Sequence, residues 1–258
     1  MFFRNFPFTT YQFDENGVNT KIADIFRYVH TTDQIIDDAN SYKFYQIHDG
    51  ERPDVVSYKL YGTPDYYWTF FIVNDSLHKG IRGWPLSNHE FNTYMENQYN
   101  GVVINGRPQI VYDSDGNITD FRDSIADRFK IGETVIGSVS GAKGTLIEKD
   151  LKNNQLVIEN VTGTFRTSEF IKGETTEDFI TSYQVFSRDL APKYYKDLEG
   201  RETVSALFVA GGTPHAECTI YSNREYEEDL NDENSSIRVI RPEFIEQFAL
   251  RYKRLINQ

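Results

Sequence analysis

The sequence predicts an α+β protein built from several modules: a small strand–helix–helix module, an inserted small β-barrel or sandwich, and a C-terminal amphipathic helix. Three observations carry this prediction. Between residues 42 and 98 a β-prone run is followed by two short segments punctuated as helices. Residues 129–181 hold short β runs separated by Gly132, Gly137, Gly141, Gly144, Gly163 and Gly173. Near the end, Phe244, Ile245, Phe248, Tyr252, Leu255 and Ile256 recur at helical spacing. A chain of 258 residues has room for all three.

Residues 1–41 read as an N-terminal arm with a short helix. Phe2, Phe3, Phe6 and Phe8 crowd around Pro7. So short a segment builds no core of its own, so these rings must pack on the rest of the chain or on another subunit. The helix is expected over residues 21–29, where Ile22, Ile25, Phe26 and Val29 share one face.

In the 42–98 module, Tyr42 to Ile47 is β-prone and stops at the turn His48-Asp49-Gly50. Pro53 suits the first position of a helix, Asp54 its positive end, and Gly62 the residue just past its last turn. Val55, Val56 and Leu60, with Tyr58, supply its apolar positions. Thr63 caps a second helix, with Pro64 and Asp65 in its first turn, running from Tyr66 to Val73 and ending at Asn74-Asp75. Helices this short need a sheet to lean on. β-prone or loop chain is expected after them.

Residues 99–128 contain a β-hairpin, with Gln109 to Tyr112 and Ile118 to Phe121 flanking Asp115-Gly116. The acids there do not make an EF-hand loop: Gly116 directly follows the second acid, and Arg122 stands where the loop needs a Glu. In the 129–181 module the β runs are 134–136, 144–147, 156–158 and 164–165, about five strands in all. Ile131-Gly132-Glu133-Thr134 returns as Lys172-Gly173-Glu174-Thr175. These glycines do not form a phosphate loop, since no G-x-x-x-x-G-K-[ST] occurs. The last region, 182–258, is expected to contain an acidic loop over 217–233 and then the amphipathic helix. Pro242 opens that helix, and Arg251, Lys253 and Arg254 lie in its last turns.

Composition excludes several function classes. The net charge of −12 argues against nucleic acid and anionic membranes as main partners. One cysteine, Cys218, makes no internal disulfide. Apolar runs fall far short of the ~20 residues of a membrane helix, and the opening MFFRNFPFTT does not read as a secretory signal. The five histidines are scattered without metal-ligand spacing, and no nucleophile elbow or dinucleotide motif is present. No catalytic, metal or cofactor residue is assigned, and the expectation is a protein that is not an enzyme. The 19 Phe and 17 Tyr instead point to packing between partners. Candidate protein-interface residues are Phe2, Phe3, Phe6, Phe8, Tyr67, Trp84, Phe244, Phe248 and Tyr252.

Several stretches are similar to a known family. Residues 23–27 (ADIFR), 45–54 (YQIHDGERPD), 60–68 (LYGTPDYYW) and Asn74-Asp75 resemble baseplate wedge protein 53, the LysM-like wedge component of T-even-type contractile-tail bacteriophages. The 109–116 hairpin and the C-terminal Ile237-Arg238-Val239-Ile240 plus helix resemble it more loosely. The resemblance implies a LysM-like βααβ fold over about 42–95, with the 129–181 module as an insertion. It also implies a structural subunit of the virion tail baseplate, made in the bacterial host cytoplasm. Its partners would be other wedge subunits, neighbouring wedges, and central hub and tail-tube proteins. The alternative is a tail-associated protein that binds peptidoglycan, because LysM modules elsewhere bind N-acetylglucosamine polymers. Tyr66, Tyr67 and Trp68 are consecutive on one helix, about 100° apart, so they do not all line one groove.

Overall fold

The computed structural model describes residues 6–13, 17–24, 40–106, 109–112, 118–122, 125–203 and 218–257. Its strands are β1 (Phe8–Tyr11), β2 (Thr20–Ala23), β3 (Tyr42–Gln46), β4 (Val102–Gly106), β5 (Gln109–Tyr112), β6 (Ile118–Arg122) and β7 (Thr134–Gly137). They continue with β8 (Lys143–Asp150), β9 (Gln155–Thr162), β10 (Phe170–Gly173), β11 (Phe179–Ser187), β12 (Pro192–Lys196), β13 (Glu202–Thr203), β14 (Thr219–Ser222) and β15 (Ser236–Ile240). The helices are α1 (Pro53–Tyr61), α2 (Trp68–Val73), α3 (Asn88–Gln98), α4 (Asn223–Ser235) and α5 (Ile245–Ile256). The chain divides into two units, Met1–Glu90 with Leu230–Gln258, and Phe91–Asp229. The mixture of helix and sheet is α+β, as the sequence predicts.

The first unit is organised by a two-stranded antiparallel sheet whose strands come from distant parts of the chain. Tyr42 pairs with Ile240 and Gln46 with Ser236. Alternation along β15 buries Ile237 and Val239 on one face and leaves Arg238 on the other. The helix α1 starts at Pro53 and stops at Gly62, whose φ of 73° is left-handed and whose N–H bonds the Tyr58 carbonyl at 2.9 Å. Val56 is its buried apolar residue, beside the buried Ser57. Val55 and Tyr58, expected on the apolar face, are exposed, since a short helix leaning on two strands covers only one narrow stripe.

As anticipated, Thr63 caps the next turn, its Oγ1 accepting the Asp65 N–H. That turn, Pro64–Tyr66, is a 3₁₀ helix leading into α2. The two faces of α2 feed two cores. Phe70 packs with Val56, Leu77, Trp84, Ile237 and Val239, while Trp68 packs with Phe6, Ile240, Phe248 and Tyr252. Asn74 fastens α2 to the sheet: its Nδ2 donates to the carbonyls of Phe70 (2.8 Å) and Arg238 (2.9 Å), and its Oδ1 accepts the Arg238 N–H at 2.7 Å.

Residues 21–23, placed by periodicity in a short helix, instead belong to strand β2 of the β1–β2 hairpin, which pairs Phe8 with Ala23 and Tyr11 with Thr20. Four residues are too few for the 3.6 period to be told from a strand. The rest of that expected helix, from Ile25 onward, lies outside the described residues.

Two further helices replace the loops expected from sequence. α3 stands where β-prone or loop chain was expected, and the acidic run of 217–233 is largely α4 rather than a loop. Each opens on a Ser-x-x-Glu capping box. Ser87 Oγ accepts the Glu90 N–H (3.3 Å) while Glu90 returns a carboxylate to the Ser87 N–H (3.0 Å). Ser222 and Glu225 do the same at 3.2 and 2.7 Å.

The second unit holds a closed barrel in the order β10-β11-β4-β9-β8-β7. Six strands close it, not about five. β4 is recruited from upstream of residue 129, and β11 runs on to Ser187. Thr164-Phe165, expected as a strand, is none: the chain leaves β9 at Gly163, and Phe165 drops its ring into the barrel core. A three-stranded sheet, β13-β12-β14, completes the regular part of this unit beside the β5–β6 hairpin, which pairs as expected. The Asp115-Gly116 turn itself lies outside the described residues.

Two buried glutamates clasp the barrel reciprocally. Glu133 accepts the N–H of Lys130, three residues before it, and those of Thr175 and Thr176 in the turn after β10. Glu169, 2% exposed, accepts the N–H of Arg166, three residues before it, and those of Val139 and Ser140 in the turn after β7. Each carboxylate thus holds the turn that ends the other's strand. Gly137 and Gly173 make room: a Cβ on either would come within 2.7 Å of the carboxylate it faces. Burial disfavours both charges, but the converging N–H donors prevail and hold both carboxyls below the usual range.

Candidate functional site

The first unit carries a groove of about 600 Å³ beside the β3–α1 loop. Its walls are apolar, formed by Pro53, Tyr67, Ile81, Trp84, Pro85 and Leu86. Ile81 sits on the 3₁₀ turn Gly80–Gly83 and is 73% exposed, an apolar lip with no cover.

The opposite wall is built around Glu51. Its carboxylate accepts from the Tyr45 hydroxyl (2.9 Å), the His48 N–H (3.0 Å) and the Lys59 ammonium. Burial opposes the charge, yet these donors outweigh it and hold the Glu51 carboxyl at about 2. Burial, reinforced by the Glu51 charge, pushes the Tyr45 phenol up to about 12.

The two walls are tied at several points. The Trp84 indole N–H donates to the Glu51 carbonyl at 2.6 Å, and the Asn88 N–H donates to Asp49 at 2.8 Å. Asn231, from the returning chain, clamps Leu86 by accepting its N–H (2.7 Å) and donating to its carbonyl (3.2 Å). The groove is therefore held open by hydrogen bonds that do not depend on an occupant.

Of the sequence-derived interface residues, Tyr67 and Trp84 meet in this groove. Phe6, Phe248 and Tyr252 meet elsewhere, in the core around Trp68. Phe6 is 6% exposed, and Phe248 and Tyr252 lie 6.2 and 5.1 Å from the indole, centroid to centroid. Their rings are spent on the fold of this unit. Phe8 is 73% exposed and Phe244 is also exposed, so these two present free surface. Phe2 and Phe3 lie outside the described residues. Sequence reasoning passed over Tyr11, Phe13 and Val18, which are exposed on the same hairpin as Phe8, and over Ile81. Aromatic residues at 8, 11 and 13 separated by Thr and Gln were the available signal.

Among the described residues, no cluster of His, Cys, Asp and Glu could hold a metal ion, and no helix is long and apolar enough to cross a membrane. What the first unit displays is a groove with apolar residues along it and a hairpin with exposed aromatic residues. The model of the family described as base plate wedge protein 53 matches residues 1–130, half of the chain, and the chain belongs to that family. It is a structural protein of the phage tail baseplate, carried in the virion. No curated protein matches the sequence.

Proposed function

We propose that this chain links neighbouring wedges around the central hub of the baseplate, using its first unit to grip other wedge subunits and hub or tail-tube proteins. The observation that carries the reading is the β1–β2 hairpin. A two-stranded ribbon of four-residue strands is marginal in water, yet this one leaves Phe8, Tyr11 and, just past β1, Phe13 exposed, the last two in edge contact. Phe6, immediately before it, is buried in the core, which roots the ribbon to the unit. Such a surface gains stability when another protein covers it.

The same reading takes β3, α1, α2 and β15 as a LysM-like βααβ module. The succession of β3, α1 and α2 supports it, although the antiparallel partner of β3 is β15, from outside the residues 42–98 in which the sequence reading placed the whole module. The 129–181 region is read as an insertion relative to compact family members. The test is a phage encoding Phe8→Ser, Tyr11→Ser and Phe13→Ser together. The isolated variant keeps its circular dichroism, while infected cells accumulate unjoined wedges in electron micrographs. Closed baseplates at the normal yield would overturn the reading.

A further inference from the structure

We infer that the groove lined by Tyr67, Ile81, Trp84 and Leu86 receives an extended segment of another wedge protein, one placing an apolar side chain next to a lysine or arginine. The inference rests on the assembly role above and names the chemistry of one contact.

Charge on the rim selects the occupant. Three carboxylates line the groove, those of Glu51, Asp54 and Glu90, and a fourth, Asp49, directly precedes its lining residue Gly50. Lys59 is committed to Glu51, and Arg52 to Asp54 at 3.2 Å. Asp49 and Glu90 spend carboxylate oxygens on the N–H groups of Asn88 and Ser87, and no lysine or arginine among the described residues lies within ion-pair distance of either. The rim therefore keeps uncompensated negative charge above an apolar floor, the complement of a cationic, apolar segment.

The wall chemistry disfavours a sugar. Trp84 is 8% exposed and its indole N–H is already bound to Glu51, so it offers neither an open stacking face nor a donor to hydroxyls. The exposed Ile81 and the neighbouring Leu86 suit an aliphatic side chain. The Tyr67 hydroxyl, bonded to none of the described residues, is available to a backbone carbonyl of the incoming segment.

The chain has two tryptophans, Trp68 and Trp84, so its indole N–H resonances are two and can be assigned by comparison with Trp68→Phe. The full chain is titrated with a capped Gly-Leu-Pro-Lys-Leu-Lys-Gly peptide, with its counterpart bearing Glu for Lys, and with chitohexaose. The lysine peptide is expected to shift the Trp84 signal saturably, and the glutamate peptide to bind at least roughly tenfold more weakly. Asp54→Lys, on an exposed first turn, lowers affinity for the lysine peptide by about tenfold, and Ile81→Ser by roughly threefold. The Trp68 signal stays in place throughout. Equal response to both peptides, no response at Trp84, or a shift produced by chitohexaose instead would overturn the inference. A groove that fails this test while the hairpin variant still blocks baseplate closure removes the groove contact alone, leaving the assembly role standing.

Discussion

The two units solve the same problem, holding short elements together, with opposite chemistry. The first relies on aromatic rings. Trp68, Phe70, Phe248 and Tyr252 fill cores on both sides of α2, and the sheet at its centre joins residues 42–46 to 236–240. The second relies on buried charge and absent side chains: Glu133 and Glu169 gather backbone N–H groups where Gly137 and Gly173 clear the space. The barrel interior beneath them is mostly aliphatic, with Ile104, Leu146, Leu156, Ile158, Ile171 and Ile180 wholly buried and Phe129 and Phe165 its aromatic members. The aromatic wealth of the sequence is thus concentrated where the fold must be closed over a long sequence separation. It is also found exposed on the β1–β2 hairpin, at Phe8, Tyr11 and Phe13.

The difference sets which substitutions damage which unit. The largest effect is expected from Phe70→Ala. The ring is wholly buried between α1 and the β3–β15 sheet, and its loss costs about 4 kcal/mol. Hydrogen exchange reads this as lost protection at the amides of 236–240. Retained protection there would show that the aromatic core is not what closes the sheet.

Glu169→Gln follows, at about 3 kcal/mol, because an amide cannot accept at both positions and turns a donor toward N–H groups. The pH dependence carries the same sign for Glu133, Glu169 and Glu51. Their folded carboxyls are all depressed, so their stabilisation is complete above 4.5, their ordinary value, and is lost as the pH falls through the lowered one. For Glu51 that loss extends over the range from 4.5 down to about 2. Acid titration of Glu169→Gln followed by circular dichroism should be flatter than that of the unaltered chain; an identical profile would remove the clasp from the account. The smallest expected effect is that of Ser222→Ala, which takes one half of the α4 capping box and costs about 1 kcal/mol in thermal unfolding.

Much of the first unit was legible because its punctuation is local. Pro53, Gly62 and Thr63 each act within a turn of where they stand, and each does what its type suggests, whereas Asn74 ends its helix as read but also bonds Arg238 far along the chain. The closing strand β15 was not read as a strand, only as a loose family resemblance at 237–240, and nothing local says that Ile237 and Val239 will face α1 and α2. The two Ser-x-x-Glu boxes stand in the sequence but were not read, and over 217–233 a density of acids reads as solvated loop. In the barrel the repeated Gly-Glu dipeptide pointed to a real symmetry in the wrong register. The equivalent residues are Glu133 and Glu169, because equivalence is set by which turn each carboxylate reaches, and Glu174 reaches neither. Aromatic type alone does not separate Phe6 in the core from Phe8 in solvent. A residue that roots a hairpin and a residue that the hairpin displays look the same in sequence.

The central claim, that the first unit is the part that grips neighbours, is tested most directly by photo-cross-linking in assembled virions. Benzoylphenylalanine is placed at Phe8 and Phe244 in the first unit, and at Phe170 and Phe179, an exposed edge-to-face pair on the barrel. The account predicts covalent adducts to other baseplate proteins from Phe8 and Phe244. Adducts arising only from Phe170 and Phe179, with none from the first unit, would contradict it.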